Sequence, residues 1–392
     1  MRSALPALCL WLVPAGLAVG DGRELPDPRP RPAVDFVLDA FRTHSVVALG
    51  EAHGIREQHE FLMSVVEDPR FVERAGTVVV EFANARYQDR IDRYLGGEEV
   101  SADGIRAVWR DTTQALGGSW EPPIYASFFD RLRKLNRDRP SSHRVRVLAG
   151  DPPIDWGALS GREEFLRFQA ERDPFLTRTI LDGVLAKGEK ALVVAGVGHL
   201  MRGPSAAHAA VVKSIEARYP GSVFVIHPIT GFGERTSELE PELASWPVPG
   251  AAVVGGTWLG AIDASLGIGI RRVATPASAE MGRPGSAARS DSGETSIPLP
   301  GEKGPESRRI LAKPLGPGDD PGHSGSRNLF EGEGVLKQEI ADALLWLGPA
   351  GGLTVSVAPA SAARDPGFRA EYERRYRLVY GAPPPLRPSS PH

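Results

Sequence analysis

Short, wholly apolar runs alternate along this chain with stretches whose apolar residues recur every three or four positions. Ala33 to Thr43 has the helical spacing (Val34, Phe36, Val37, Ala40, Phe41), and Ser45 to Leu49 follows as a short apolar strand. Arg56 to Val66 reads as a helix with Phe61, Leu62 and Val65 on its apolar side. The alternation continues with strand Thr77–Glu81, helix Tyr87–Leu95, a helix-and-loop insertion over 102–123, helix Tyr125–Leu135 and strand Val145–Leu148. Phe165 to Leu185 supplies one or two helices around Pro174, before strand Ala191–Ala195, helix Ala206–Arg218 and strand Val223–Ile226. A strand that is apolar throughout is buried on both faces. The predicted fold class is therefore α/β, a mostly parallel sheet covered by helices on both faces.

Beyond Pro228 the pattern weakens. Residues 274–330 are dense in Pro, Gly, Ser and charge and read as a flexible insertion or linker. Apolar character returns at Val335 to Leu347, with Ala343–Leu347 a strand or buried segment. Leu353–Val357 reads as another strand and Phe368–Tyr380 as a basic, aromatic helix. Residues 331–392 are expected to complete the α/β core that begins over 33–273.

The other end carries a different signal. Arg2 precedes an almost wholly apolar stretch from Ala4 to Ala18, and Ala18 and Gly20 offer the small residues of a cleavage site. Residues 1–20 are thus expected to be a signal peptide, residues 21–32 a flexible Pro-rich leader, and the protein exported, periplasmic or secreted. No stable membrane span is expected after cleavage. The single cysteine, Cys9, lies inside the signal, so disulfides, thiolate ligands and a cysteine nucleophile are not expected in the mature chain. Any metal must then be held by His, Asp, Glu or Tyr. A formal charge of -3 gives no electrostatic reason to expect nucleic acid as a partner.

Each predicted strand runs into an ionisable residue. The first ends in Gly50-Glu51-Ala52-His53, the second in Glu81, the third in Asp151, the fourth in Gly196-Val197-Gly198-His199 and the fifth in His227. In an open α/β sheet these ends share one edge, where ligands bind. Imidazole and carboxylate without thiolate suit zinc, manganese, iron or cobalt. His53, His199 and Glu81 are the expected ligands. Glu51, Glu81 and Asp151 are the expected catalytic carboxylates, with Asp151 orienting a ligand imidazole. Arg86 and Arg202 follow strands two and four as candidate anion stabilisers. His59 and Glu60 are candidate rim groups, read equally well as a solvated helix face. His227, before Pro228, reads first as structural and second as a rim group.

At these residues the chain resembles the superfamily of the Tiki and TraB proteins, the erythromycin esterases and the ChaN haem-uptake proteins. Two Gly-x-x-His motifs with an intervening strand-end Glu match the Tiki and TraB pattern. The wording Leu49-Gly50-Glu51-Ala52-His53, followed by His59, is closest to ChaN, as are Val80-Glu81, Tyr87-Gln88, Tyr94-Leu95-Gly96 and Val194 to Leu200. The resemblance spans Ser45 to His227. It implies an α/β sheet with its active edge at these residues, and a superfamily of metalloproteases, metal-independent esterases and haem binders. Three functions are therefore expected as rivals. The first is an exported metal-dependent hydrolase acting on a peptide, ester or amide bond of a small-molecule or peptide substrate. The second is a non-enzymatic haem-binding protein, with Tyr87 or Tyr94 as axial ligand and His53 or His59 assisting. The third is a degenerate exported binding module.

Overall fold

The computed structural model describes residues 25–117, 120–203, 210–230, 236–264 and 335–384. The expected signal at 1–20, the first part of the leader and the insertion at 274–330 lie outside the described residues.

Eight strands form one sheet among the described residues: β1 (Arg31–Pro32), β2 (Val46–Glu51), β3 (Gly76–Asn84), β4 (Arg146–Asp151), β5 (Lys190–Gly196), β6 (Val223–Ile229), β7 (Gly250–Val253) and β8 (Ala343–Trp346). Their order is β1-β7-β8-β6-β2-β5-β3-β4. The six strands from β8 to β4 pair in parallel, while β7 runs antiparallel to both β8 and β1. The chain is a mixed α/β protein with a mostly parallel sheet.

The uninterrupted apolar runs follow from burial on both sides. Val47 and Leu49 of β2 face one layer, with Phe36 and Val37, Phe61 and Leu62, and Phe128 and Phe129 from helices Ala33–Ala40, Arg56–Glu67 and Pro123–Arg137. Val46 and Ala48 face the opposite layer, with Ile180 of helix Arg172–Gly183 and Val211 and Ile215 of helix Ala210–Arg218. Side chains alternate along a strand, so a run feeding two cores must be apolar at every position.

Three elements differ from the sequence reading. The expected strand at Leu353–Val357 does not form. A single antiparallel bridge joins Val355 to Ile55, and Ser356 N donates to Gly54 O at 2.7 Å. That stretch clasps the turn carrying His53 instead of extending the sheet. The leader is partly tied down: Arg31–Pro32 pairs with β7, and Asp27 accepts a bond from the Trp258 indole at 3.0 Å. The short β7 was not foreseen. At the C-terminal end of the described chain, β8 lies between β6 and β7, and helix Pro366–Tyr380 forms close to its expected span.

The parallel order sets three strand ends side by side, since β5 lies between β2 and β3. Gly150, near the end of β4, keeps the spacing. A Cβ there would stand 2.8 Å from Leu176 Cδ1 and 2.9 Å from the Val80 carbonyl oxygen. Leu176 can yield, but Val80 is backbone in the strand that delivers Glu81. Gly150→Ala is therefore expected to destabilise the protein by about 1–3 kcal/mol through overpacking, measured by denaturant unfolding; an unchanged midpoint would show that β3 adjusts freely.

Candidate active site

Parallel strands end with backbone groups that the ladder no longer pairs. Here the Gly196 N–H, at the end of β5, donates to Glu81 Oε2 at 2.6 Å. The other oxygen, Oε1, accepts from the Gln114 amide and the Arg172 guanidinium and lies 3.3 Å from His199 Nε2. Glu81 is thus the centre of the cluster. Burial alone would raise its pKa, but the charges of His199 and Arg172, with the His199 hydrogen bond, hold its carboxyl well below the usual range.

Gly196 has a steric role as well. A Cβ on it would lie 3.1 Å from both Cε1 and Nε2 of His53 and 3.4 Å from Glu81 Oε2. Only glycine lets the His53 ring and the Glu81 carboxylate close over the same strand end. The turn from β2 to the next helix passes through Gly54 at φ 86°, in the left-handed region that glycine occupies without penalty.

Both histidines have a carboxylate behind Nδ1. His199 Nδ1 bonds Asp173 Oδ1, and His53 Nδ1 stands 3.5 Å from Glu51 Oε2. Glu51 is itself fixed: its Oε1 accepts from the Tyr125 hydroxyl at 2.8 Å and lies 3.0 Å from His59 Nε2. Burial pushes Glu51 upward, yet the two imidazoles outweigh it and hold the carboxyl at about 2. His53 is raised above an ordinary histidine: burial opposes the charged ring, and Glu51 and then Glu81 overcome it. His199 is raised to about 9, because Glu81 and Asp173 overcome the burial that would lower it. With side chains 30% and 19% exposed, His53 and His199 remain open to solvent while Glu51, at 1%, does not. Edge-on packing of Trp120 against the His53 ring, with centroids 4.6 Å apart, closes one side.

Glu51, His53, Glu81 and His199 therefore come together as read from the sequence; other expected groups do not. Asp151 touches no imidazole by hydrogen bond. It accepts from Thr113 N at 2.9 Å and the Thr113 hydroxyl at 2.5 Å, and burial raises it to about 7. The imidazole-orienting role expected of it is taken by Glu51 and Asp173. His59 is buried behind Glu51 rather than at a rim, and Glu60 pairs with Arg131 at 2.6 Å. Arg86 pairs with Asp155, and Arg202 binds Asp342 and the Val223 carbonyl, so neither points its charge at the cluster. His227 is fully buried, bonds the Leu200 carbonyl, and is pushed by burial down to about 4, so it is a neutral structural residue. Tyr87 and Tyr94 donate to Asp111 and Asp130; burial and these carboxylates raise both phenols to about 12, which does not suit a phenolate ligand.

Arg172, Asp173, Gln114, Trp120 and Tyr125 were missed. Arg172 and Asp173 open the helix before Pro174, where an acidic residue reads as ordinary first-turn compensation. Nothing local marked Gln114 or Trp120, which come from the insertion after helix Ala102–Arg110.

The expected metal does not fit the donor set as it stands. Arg172 Nη2 bonds Glu81 and lies 3.1 Å from His199 Nε2, setting a fixed positive charge beside the carboxylate and the ring nitrogen that a cation would need. Among the described residues, no group of three or more His, Cys, Asp or Glu is arranged to hold a metal ion. Also among them, no helix is long and apolar enough to cross a membrane.

Fold and site together define an α/β protein with a carboxylate–imidazole–guanidinium centre at the carboxyl edge of its sheet. No protein-family model matches the sequence, and no curated protein matches it. Among solved structures, a Bacillus cereus protein is similar at 12% identity over 48% of this chain and 67% of that one, with a TM-score of 0.32. The type III effector HopBA1 is similar at 16% over 53% and 88%, with a TM-score of 0.31. ChaN of Campylobacter jejuni, whose structure is described as binding haem cofacially, is similar at 14% over 50% and 84%, with a TM-score of 0.32.

The pH dependence of stability follows from His199. Its folded pKa of about 9 lies above the ordinary 6.5, so its contribution is complete below pH 6.5 and is lost as pH rises through 9. The gap in unfolding midpoint between the parent protein and His199→Asn should be widest near pH 6 and narrow steadily toward pH 10. A gap independent of pH would show that the ring is neutral throughout.

Proposed function

We propose that the chain is a hydrolase of an ester, amide or peptide bond in which two carboxylate-backed imidazoles perform the proton transfers. One observation carries this reading. Both His53 and His199 turn Nδ1 to a carboxylate, Glu51 and Asp173 respectively; His199 Nε2 faces the Glu81–Arg172 pair, and His53 Nε2 lies over the Gly196 strand end that also holds Glu81 Oε2. A carboxylate on one ring nitrogen fixes the tautomer and leaves the other nitrogen for proton transfer.

His53 is the more exposed ring, and in its neutral form it is the general base. Its Nε2 takes a proton from water as the water oxygen attacks the substrate carbonyl. Its 3.5 Å contact with Glu51 tightens as positive charge develops on the ring. Arg172 and protonated His199 supply positive charge for the oxyanion. His199 then passes its Nε2 proton to the leaving oxygen or nitrogen, and solvent restores both rings. Glu81 holds Arg172, His199 and the Gly196 N–H in one arrangement; occupied by these groups and the Gln114 amide, it is an anchor rather than the base. No step passes through a metal. Export, inferred from the apolar N-terminus, would place the substrate outside the cytoplasm.

The test is a screen of nitrophenyl esters and peptide anilides with and without chelator. His53→Ala should lower kcat/KM by about 10²–10⁴-fold, and chelator should leave the parent rate unchanged. Activity should fall on an alkaline limb near pH 9 as His199 loses its proton, and Asp173→Asn should move that limb to lower pH. Loss of activity to chelator with recovery on added zinc would replace this mechanism by a metal-dependent one. A saturable Soret band on adding haemin, lost in His53→Ala, would replace it by haem capture.

A further inference from the structure

A cavity of about 510 Å³ lies between helix Ala102–Arg110, the residues just after it and the C-terminal helix Pro366–Tyr380. Its walls include Trp109, Trp120, Phe368 and Tyr372, and among its lining residues five carboxylates stand against three guanidiniums. Most of these charges are paired. Arg110 lies 2.9 Å from Glu121 and over the Phe368 ring at 4.7 Å, and Arg375 binds Asp111 at 2.5 Å. Glu121 is the least exposed of the ion-paired acids in the lining, its side chain 9% exposed beside an Arg110 that is 21% exposed. Burial raises its pKa even against Arg110, with Arg106 and Arg375 also opposing.

Two connections join this cavity to the centre described above. Trp120 is a cavity wall on one side and packs edge-on against His53 on the other. Asp111 and Ala115 also line it, and the segment between them carries Gln114, which donates to Glu81. The segment is pinned in place: Asn84 donates to the Asp111 carbonyl, Trp156 to the Thr112 carbonyl, Gln169 to the Thr113 carbonyl, and Thr113 to Asp151. A group seated in the cavity would therefore lie one indole away from the proposed base, against a rigid wall.

We propose that this cavity is the specificity pocket of the hydrolase and receives a part of the substrate bearing a protonated amine on an apolar frame. The inference rests on the hydrolase reading for the word substrate, but the pocket's ligand class does not depend on it. An excess of carboxylates selects a cation. Aromatic walls favour a cation attached to apolar surface, through ring quadrupoles and burial together. A carboxylate-bearing ligand would meet the net acidic lining and be rejected.

The experiment is calorimetric titration of the full chain with phenethylammonium, phenethyl alcohol and 3-phenylpropionate. Phenethylammonium should bind saturably and about tenfold or more tighter than either analogue, the scale of a hydrogen bond to a charged group. Glu121→Gln and Phe368→Ala, each checked for folding by circular dichroism, should both weaken it by a similar factor. His53→Ala should leave its affinity unchanged. The proposal is overturned by no saturable binding, by equal or tighter binding of the alcohol or the acid, or by indifference to both pocket variants. Loss of binding in His53→Ala would also overturn it, since the probe would then sit at the catalytic centre. Retained binding with no hydrolysis of any ester or anilide would remove the hydrolase reading alone and leave the pocket standing.

Discussion

A carboxylate buried at the end of a strand must be compensated by donors brought from elsewhere, because the desolvation of an unpaired charge would cost more than the local structure contributes. Glu81 meets that demand from three sides: the end of β5 through the Gly196 N–H, the insertion through Gln114, and helix Arg172–Gly183 through Arg172. Each donor fixes one element relative to β3. The same arrangement brings His199 and Asp173 into register, because Arg172 and Asp173 are neighbours at one helix start. Satisfying one charge thus assembles the centre.

The proposed chemistry draws on an asymmetry between the two histidines. His199 is enclosed by Glu81 and Asp173, which outweigh burial and the opposing charge of Arg172, and so it keeps its proton into the alkaline range. His53 has Glu51 at a longer distance, feels the repulsion of His199, and is more exposed. Both imidazoles are raised, but His53 is opposed by the charge of His199 and lies more open to solvent, and it is this difference that the proposed division into base and acid uses.

Much of this was legible in the sequence. The continuous apolar runs at Val46–Leu49, Val78–Val80 and Ala191–Ala195 reveal two-sided burial, and hence the parallel sheet with its shared edge. Glu51, His53, Glu81 and His199 follow because each stands within a few residues of such a run. What was not legible shares a different property. Arg172, Asp173, Gln114 and Trp120 reach the site from helix starts and an insertion, where polar residues are ordinary and only tertiary packing gives them a target. Arg86 and Arg202 illustrate the converse: position just after a strand placed them near the edge, but exposed or structural partners captured them first. The same holds for Leu353–Val357, whose strand-like composition serves to clasp the His53 turn.

The place of β8 has a consequence for how the molecule is made. β6 and β7 are separated by a gap that only β8 fills, and β8 lies far downstream of both in the chain. During synthesis the β6 edge must wait, its N–H and C=O groups open to any other extended segment, until Trp346 has emerged. The site-bearing strands β2, β3 and β5 have by then all been made. Chemistry and closure are thus separated in time, and a ribosome-bound chain ending before residue 343 would carry a nearly finished centre beside an adhesive edge.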